Sequence, residues 1–261
     1  MGTTVFLKRK KYRPNPFANK DPKDIRLTFC VTHKNRTKYL QQTLAQNLSD
    51  NRSNPNVDFV LVDFDDDMST VDWLKSEFKE ELKNGGLKVY HSDDLDEWHS
   101  PKAKNCAHAL AEGDILVNLD CDNYTGPDGG SFLVKRFLEA PHEIVLWQYS
   151  RRKLDGSFGR IAIAKDTFYH LGGYNESFLP MGFQDGDLIK RAKALGLKIE
   201  RDRNPLYNAA IKHDKFRPKD MTWKRMNEHN QRLSRLEIKA GKLVANEGAF
   251  GKLANGVTRI V

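Results

Sequence analysis

Long apolar runs are missing from this 261-residue sequence. Its longest apolar stretches are of strand length, well short of the roughly 20 residues that a membrane-spanning helix requires. The basic opening segment, 1–20, has no apolar core of the kind a secretory signal carries, so none is expected there. Cysteine is scarce: Cys30, Cys106 and Cys121 are the three present, they lack metal-site spacing, and they cannot all pair. That excludes a disulfide framework and favours a reducing compartment. The expected location is cytoplasmic, with peripheral attachment to a membrane left open by the charge. No segment repeats, which excludes a solenoid. With 39% hydrophobic and 30% charged residues the chain has the composition of a folded protein, not a disordered one.

What is present is a basic chain, with 43 Lys and Arg against 35 Asp and Glu. The excess of +8 favours contact with an anionic partner, although many basic surfaces only keep a protein soluble. Along the chain, apolar segments of strand length alternate with helical patterns. Residues 25–32, 57–62, 87–90 and 114–119 read as strands. Residues 37–48, with Leu40, Leu44 and Leu48 on one face, and 70–83 and 101–111 read as helices. This alternation predicts an α/β fold with a mainly parallel central sheet flanked by helices. Beyond residue 128, a helix over 132–138, strands over 144–149 and 159–164 and a helix over 185–195 predict a smaller, mixed part of the sheet. Residues 219–240 read as a long basic helix. The expected division is a basic extension (1–23), one catalytic domain (24–215, with a nucleotide-binding half to 127 and an acceptor half from 128) and a basic helical extension (216–261).

In such sheets ligands bind beyond the carboxyl ends of the strands. Three of the predicted strands end in polar clusters there: Thr32-His33-Lys34-Asn35-Arg36, Asp63-Phe64-Asp65-Asp66-Asp67 and Asp120-Cys121-Asp122-Asn123. Carboxylates two residues apart in a strand-end turn can converge on one divalent cation, and their hard oxygens suit Mg²⁺ or Mn²⁺. A bare Asp-x-Asp is also a common solvated turn, and only its place after an apolar strand lifts Asp120 and Asp122 above that.

The segment AEGDILVNLDCDN resembles the strand and metal-binding Asp-x-Asp of GT-A glycosyltransferases, particularly family 2-type enzymes and the β-1,4-galactosyltransferases. LTFCVTHKNRTKYLQQTL is similar to their opening strand, turn and helix, and FVLVDFDDD to their second strand. SPKAKNCAHALAEGD resembles the helix before the Asp-x-Asp strand. LGGYNESFLPMGFQDGDLIKRAKALGLKI resembles the segment that carries their catalytic acid. The matches run in order over residues 25–215.

The resemblance implies a GT-A fold and a metal-dependent inverting glycosyltransferase using a nucleotide-sugar, a UDP-sugar first among them. Thr32, Asn35 and Arg36 would line the nucleotide pocket. Asp63 would meet the base, with Asp65 nearby, and Lys104 would lie near the donor phosphates. Asp120, Asp122 and the late His213 would hold Mn²⁺ or Mg²⁺. Asp185 would be the catalytic base, Asp187 its acidic companion, and Gly173 would leave room near the donor sugar. Gln184 stands where the family usually has Glu, and Gly186 where a third acid can occur. Trp98 could stack on a sugar face, whereas Trp147 follows an apolar run and reads as core.

The acceptor would be a glycan or glycoconjugate hydroxyl. Its selectivity is expected in residues 90–102, 149–158 and the C-terminal extension. The basic charge leaves room for a polyanionic acceptor: an acidic glycan, a lipid-linked glycan or a modified base of DNA. It also leaves room for a non-catalytic nucleic-acid-associated protein, although that would leave the acidic set unexplained. A nucleotidyltransferase is disfavoured, because the turn after the first strand lacks the glycine-rich loop such enzymes use.

Overall fold

The computed structural model describes residues 12–149, 158–212 and 221–260. Among the described residues, eight strands form one sheet. They are β1 (Leu27–His33), β2 (Val57–Asp63), β3 (Leu87–His91), β4 (Ile115–Asp120), β5 (Ile144–Gln148), β6 (Ile161–Ala164), β7 (Lys198–Asp202) and β8 (Thr258–Arg259), in the order β7-β5-β6-β4-β1-β2-β3-β8. β4, β1, β2 and β3 run parallel, whereas β6 is antiparallel to both β4 and β5. The predicted mixed, mainly parallel sheet is therefore present, and the architecture is that of the GT-A fold.

Strand periodicity divides the interior into two cores, because successive side chains leave opposite faces of a strand. Phe29, Phe59, Leu61, Val117 and Leu146 enter one core, while Cys30, Val60, Val62, Leu116 and Val145 enter the other. The first core is covered by α1 (Thr37–Asn51), α2 (Ser69–Glu77), α3 (Lys79–Asn84) and α5 (Gly129–Glu139) through Leu40, Leu44, Leu74, Leu82 and Phe137. The second is covered by α4 (Ser100–Leu110), α6 (Lys165–His170) and α7 (Gln184–Leu195) through Ala103, Cys106, Phe168, Leu188 and Ala192. Burial of both faces explains why these strands read as near-continuous apolar runs.

Several elements depart from the sequence pattern. The single helix expected over 70–83 is two, broken at Phe78 (φ −117°, ψ 38°), whose buried ring meets Trp73 edge-on. β7 was not expected because its sequence, KIERD, is mostly charged; it pairs with β5 at an edge of the sheet. The basic helix of the C-terminal extension is α8 (Trp223–Lys239), which packs against α7. The chain then returns over the second core, where Phe250, Leu253 and Val257 pack, and ends in β8 beside β3. Among the described residues, no helix is long and apolar enough to cross a membrane.

His108 belongs to the second core. Its ring stacks on Phe168 at 4.6 Å, and its Nδ1 lies 2.7 Å from the carbonyl oxygen of Lys104. Burial holds it neutral, with a pKa lowered to about 3. Its contribution to stability is complete above the unfolded value of about 6.5 and is lost as pH falls from there, at about 1.4 kcal/mol per unit. Urea unfolding at pH 7 and pH 5 should show the wild-type protein losing about 2 kcal/mol more than His108→Phe between those values. Equal losses would remove His108 from the acid sensitivity.

Candidate active site

The turn after β1 is built on a buried histidine. The Arg36 N–H donates to Nε2 of His33 (3.2 Å), which assigns the proton to Nδ1, and Nδ1 donates to Asp63 Oδ1 (2.9 Å). The other Asp63 oxygen faces His91 Nδ1 at 3.2 Å. Asp65 accepts from the backbone of Asn35, which has a positive φ of 55°, and from Thr70 Oγ1 at 3.0 Å. His33, Asp63 and Asp65 are close enough to share a metal ion. Their bonding capacity, however, is taken up by one another and by the turn, so they act here as a hydrogen-bonded bolt. Asp63 is fully buried, and neither it nor Asp65 lies on the wall of the adjoining cleft, whereas Thr32, Asn35 and Arg36 do.

That cleft, of about 1170 Å³, opens beyond the carboxyl ends of β1 and β4. At the end of β4, Asp120 reaches its wall, with its side chain 30% exposed and Asn118 Nδ2 donating to Oδ1 (3.0 Å). Asp122 is buried, 3.3 Å from the Arg36 guanidinium. Their turn is held by a polar stripe on α1. Thr43 Oγ1 donates to the carbonyl of Cys121 (2.7 Å), Asn47 Nδ2 to that of Asn123 (2.9 Å), and Asn51 Nδ2 to Thr125 Oγ1 (2.9 Å). Behind the two aspartates, Arg160 is buried and donates to the carbonyls of Tyr124 (2.6 Å) and Tyr207 (2.7 Å). Burial lowers its pKa to about 10, against the pull of Asp120 and Asp122. His213, the third expected ligand, lies outside the described residues.

Lys104 of α4 connects the strand end to α7. Its buried ammonium sits 2.9 Å from Asp185 and 3.8 Å from Asp120. Burial raises the pKa of Asp185, and Lys104 offsets only part of that rise. Burial pulls Lys104 the other way, but Asp185 and Asp120 outweigh it, so the lysine stays charged. A Cβ at Gly159 would lie 2.7 Å from Lys104 Nζ and 3.0 Å from Asp185 Oδ1, so only glycine lets this pair sit against the chain.

Asp185 follows two residues with left-handed backbone, Gly182 (φ 92°) and Phe183 (φ 66°). Such a conformation is strained for phenylalanine and persists only where its surroundings impose it. Asn230 of α8 does so. Its Nδ2 donates to the carbonyls of Gly182 (2.7 Å), Leu179 (3.0 Å) and Met181 (3.3 Å), and its Oδ1 accepts from Leu179 N (2.9 Å). From the α4 side, Ser100 N donates to the carbonyl of Pro180 (2.9 Å), and Gln184 Nε2 donates to Ser100 Oγ (3.2 Å). Asp187 and Gly173 are not brought to the cleft wall. Asp187 is buried against Arg191 Nε (2.7 Å), and Arg191 in turn holds the carbonyls of Leu171 and Gly173, both at 2.7 Å. Trp98 lines the cleft, whereas Trp147 is core, its Nε1 bound to the carbonyl of Phe158.

Sequence reasoning passed over Asn230, Gly159, Arg160 and the α1 stripe. The stripe had a signal, since Thr43, Asn47 and Asn51 recur at four-residue spacing beside the leucines. For the other three the partners are remote in the chain, and no local pattern marks them.

The family model of glycosyl transferase family 2 matches residues 28–217. The chain belongs to this family. A search of curated proteins finds no match. Among solved structures, a mannosyltransferase from Pyrobaculum calidifontis in complex with GDP-Man and Mn²⁺ superposes with a TM-score of 0.56 at 16% identity, over 88% of this chain and 65% of that one. S. aureus TarS 1–349 in complex with UDP-GlcNAc gives 0.61 at 17% identity, over 82% and 66%. The catalytic domain of Drosophila β1,4-galactosyltransferase 7 gives 0.51 at 14%, over 78% and 79%. The chain thus spans about 65% of the mannosyltransferase and 40% of the longer S. aureus TarS chain. At these identities the likeness is one of fold, and family 2 membership rests on the sequence match. At the end of β4 only Asp120 reaches the cleft wall, while Asp122 lies buried beside Arg36; carboxylate oxygens of this kind are hard ligands of the type a divalent cation takes.

Replacing Asn230 by Ala removes the donor and acceptor that hold the 179–182 turn. Buried backbone groups left unpaired cost about 1–3 kcal/mol each, so a loss on the order of 3 kcal/mol is expected in urea unfolding. A loss below about 1 kcal/mol would show that the turn holds its shape without α8.

Proposed function

We propose that this family 2 protein is a metal-dependent inverting glycosyltransferase, moving a sugar from a nucleotide-sugar to an acceptor hydroxyl. The observation that carries the reading is the buried Lys104 ammonium lying between Asp185 and Asp120 in one cleft. A UDP-sugar is the first donor to test, by the sequence resemblance and because S. aureus TarS, of the same fold, is described with UDP-GlcNAc.

Asp185 is the proposed base. Burial raises its pKa, which gives it more affinity for a proton than an ordinary aspartate. The acceptor oxygen forms a bond to the anomeric carbon as the bond from that carbon to the diphosphate oxygen breaks, and the hydroxyl proton passes to Asp185. Attack from the face opposite the leaving group inverts the anomeric configuration. Asp120 and Asp122, with His213, would hold Mn²⁺ or Mg²⁺, which supplies Lewis-acid stabilisation of the departing nucleoside diphosphate. Arg36, Lys34 and Lys38 bring cationic charge to the same cleft for the phosphates, and Thr32 and Asn35 serve the nucleoside. Asp63 and Asp65 support this side by bracing the turn that carries Asn35 and Arg36. Lys104 neutralises Asp185 and Asp120 together, keeping base and donor site at a short, fixed separation. Asp187 and Gly173 serve the base through Arg191, which ties the helix to the preceding loop.

The first measurement is nucleoside diphosphate release from UDP-, GDP- and TDP-sugars. One donor should be consumed with Mn²⁺ or Mg²⁺, release should stop with EDTA, and Asp122→Ala should lower it at least about 100-fold. Release that survives EDTA would remove the metal from the reading. For transfer, Asp185→Asn should lower kcat by about 10²–10⁴ with little change in donor KM. The base must be unprotonated to act, so kcat/KM should fall on the acid side with a midpoint above the usual aspartate value of about 3.9. Full transfer by Asp185→Asn, or no acid limb, would assign the base elsewhere.

A further inference from the structure

We infer that the first turn of α8, together with the loop that precedes α4, forms an acceptor subsite for a neutral pyranoside ring; the inference rests on the transferase reading. Trp223 and Met221 stand 51% and 39% exposed, and both line the cleft that holds Asp185. Large apolar side chains held open to water on a cleft wall mark a place where a ligand covers them. They are not on a loose tail. Thr222 caps the helix, its Oγ1 accepting from Arg225 N (3.4 Å), and Asn230, two turns on, is bolted to the turn before Asp185. The platform and the base are thereby in register. Trp98, on the loop leading into α4, adds a second indole to the wall.

Charge decides the class of acceptor. The cations lining the cleft among the described residues are Lys34, Arg36, Lys38 and Lys104, carried by the β1 turn, α1 and α4. The subsite contributes Asp96, Glu97 and Asn227 instead. Lys224 and Arg225 lie on the same turn of α8 but are not on the cleft wall. Among the described residues these two carboxylates have no lining cation beside them on α8 or the loop before α4, so they disfavour an acidic glycan or a nucleic acid and accept hydrogen bonds from hydroxyls. A pyranoside matches both demands. Its C–H face is apolar and stacks on an indole, while its edge carries hydroxyls.

The test uses neutral p-nitrophenyl pyranosides, the corresponding uronic acid glycosides and duplex DNA, with the donor selected by the hydrolysis assay. At least one neutral pyranoside should accept the sugar, and uronosides and DNA should be poorer. Trp223→Ala should raise the acceptor KM about tenfold, with a much smaller change in donor KM. Asp96→Lys combined with Glu97→Lys should shift preference toward uronosides. Preference for uronoside or DNA in the wild-type protein, an unchanged acceptor KM in Trp223→Ala, or no transfer to any neutral pyranoside would each overturn the subsite. Absence of donor turnover altogether would count against the transferase reading. The subsite is then judged by quenching of tryptophan fluorescence on titration with the pyranosides, which should be present in the wild-type protein, much weaker in Trp223→Ala and lost in Trp98→Ala combined with Trp223→Ala. No quenching would overturn the subsite as well.

Discussion

A single buried ammonium ties this candidate site together. Taking the Lys104 charge out of water is costly, and it is tolerated because Asp185 lies at 2.9 Å and Asp120 at 3.8 Å. Those three residues come from α4, α7 and the end of β4, elements brought together by the parallel sheet and the core beneath it. Removing either carboxylate would leave the cation underpaired. Adding a side chain at Gly159 would push into the pair. The same environment that demands the lysine raises the proton affinity of Asp185, so the structural need for a counter-charge and the chemistry of the proposed base are served by one arrangement.

Around that pair the polar supports are intramolecular and far apart in sequence. The strained Gly182–Phe183 turn that presents Asp185 is held by Asn230, and the Asp120–Asp122 turn by Thr43, Asn47 and Asn51. The turn carrying Asn35 and Arg36 rests on His33, Asp63 and His91. In each case a buried amide, hydroxyl or imidazole satisfies groups that would otherwise be left without partners. The turns are thus anchored to helices and strands at the points where they carry cleft residues.

The C-terminal segment changes meaning once folded. As sequence it is a basic helix with a trailing piece, which invites a role in gripping a polyanion. In the fold, Asn230 and Met226 of its helix are buried, the trailing piece packs on the second core, and β8 extends the sheet. The helix is therefore packed into the fold as one wall of the cleft.

The strands, the helices under them and the acidic clusters at their ends were legible in the sequence, because alternating and helical periodicities are local properties of the chain and Asp120, Asp122 and Asp185 sit in recognisable local contexts. The charged edge strand β7 and the break at Phe78 were not, since pairing and core packing overrode local preference there. Nor could sequence order distinguish carboxylates that reach the cleft, such as Asp120 and Asp185, from Asp63 and Asp187, which turn inward to His33 and Arg191. That distinction depends on which side chains lie within hydrogen-bonding reach across gaps of many residues. Sequence by itself determined the fold class and the chemical types gathered at the strand ends; the tertiary structure alone decided which of them face a ligand, because burial and pairing exist only once the chain has closed on itself.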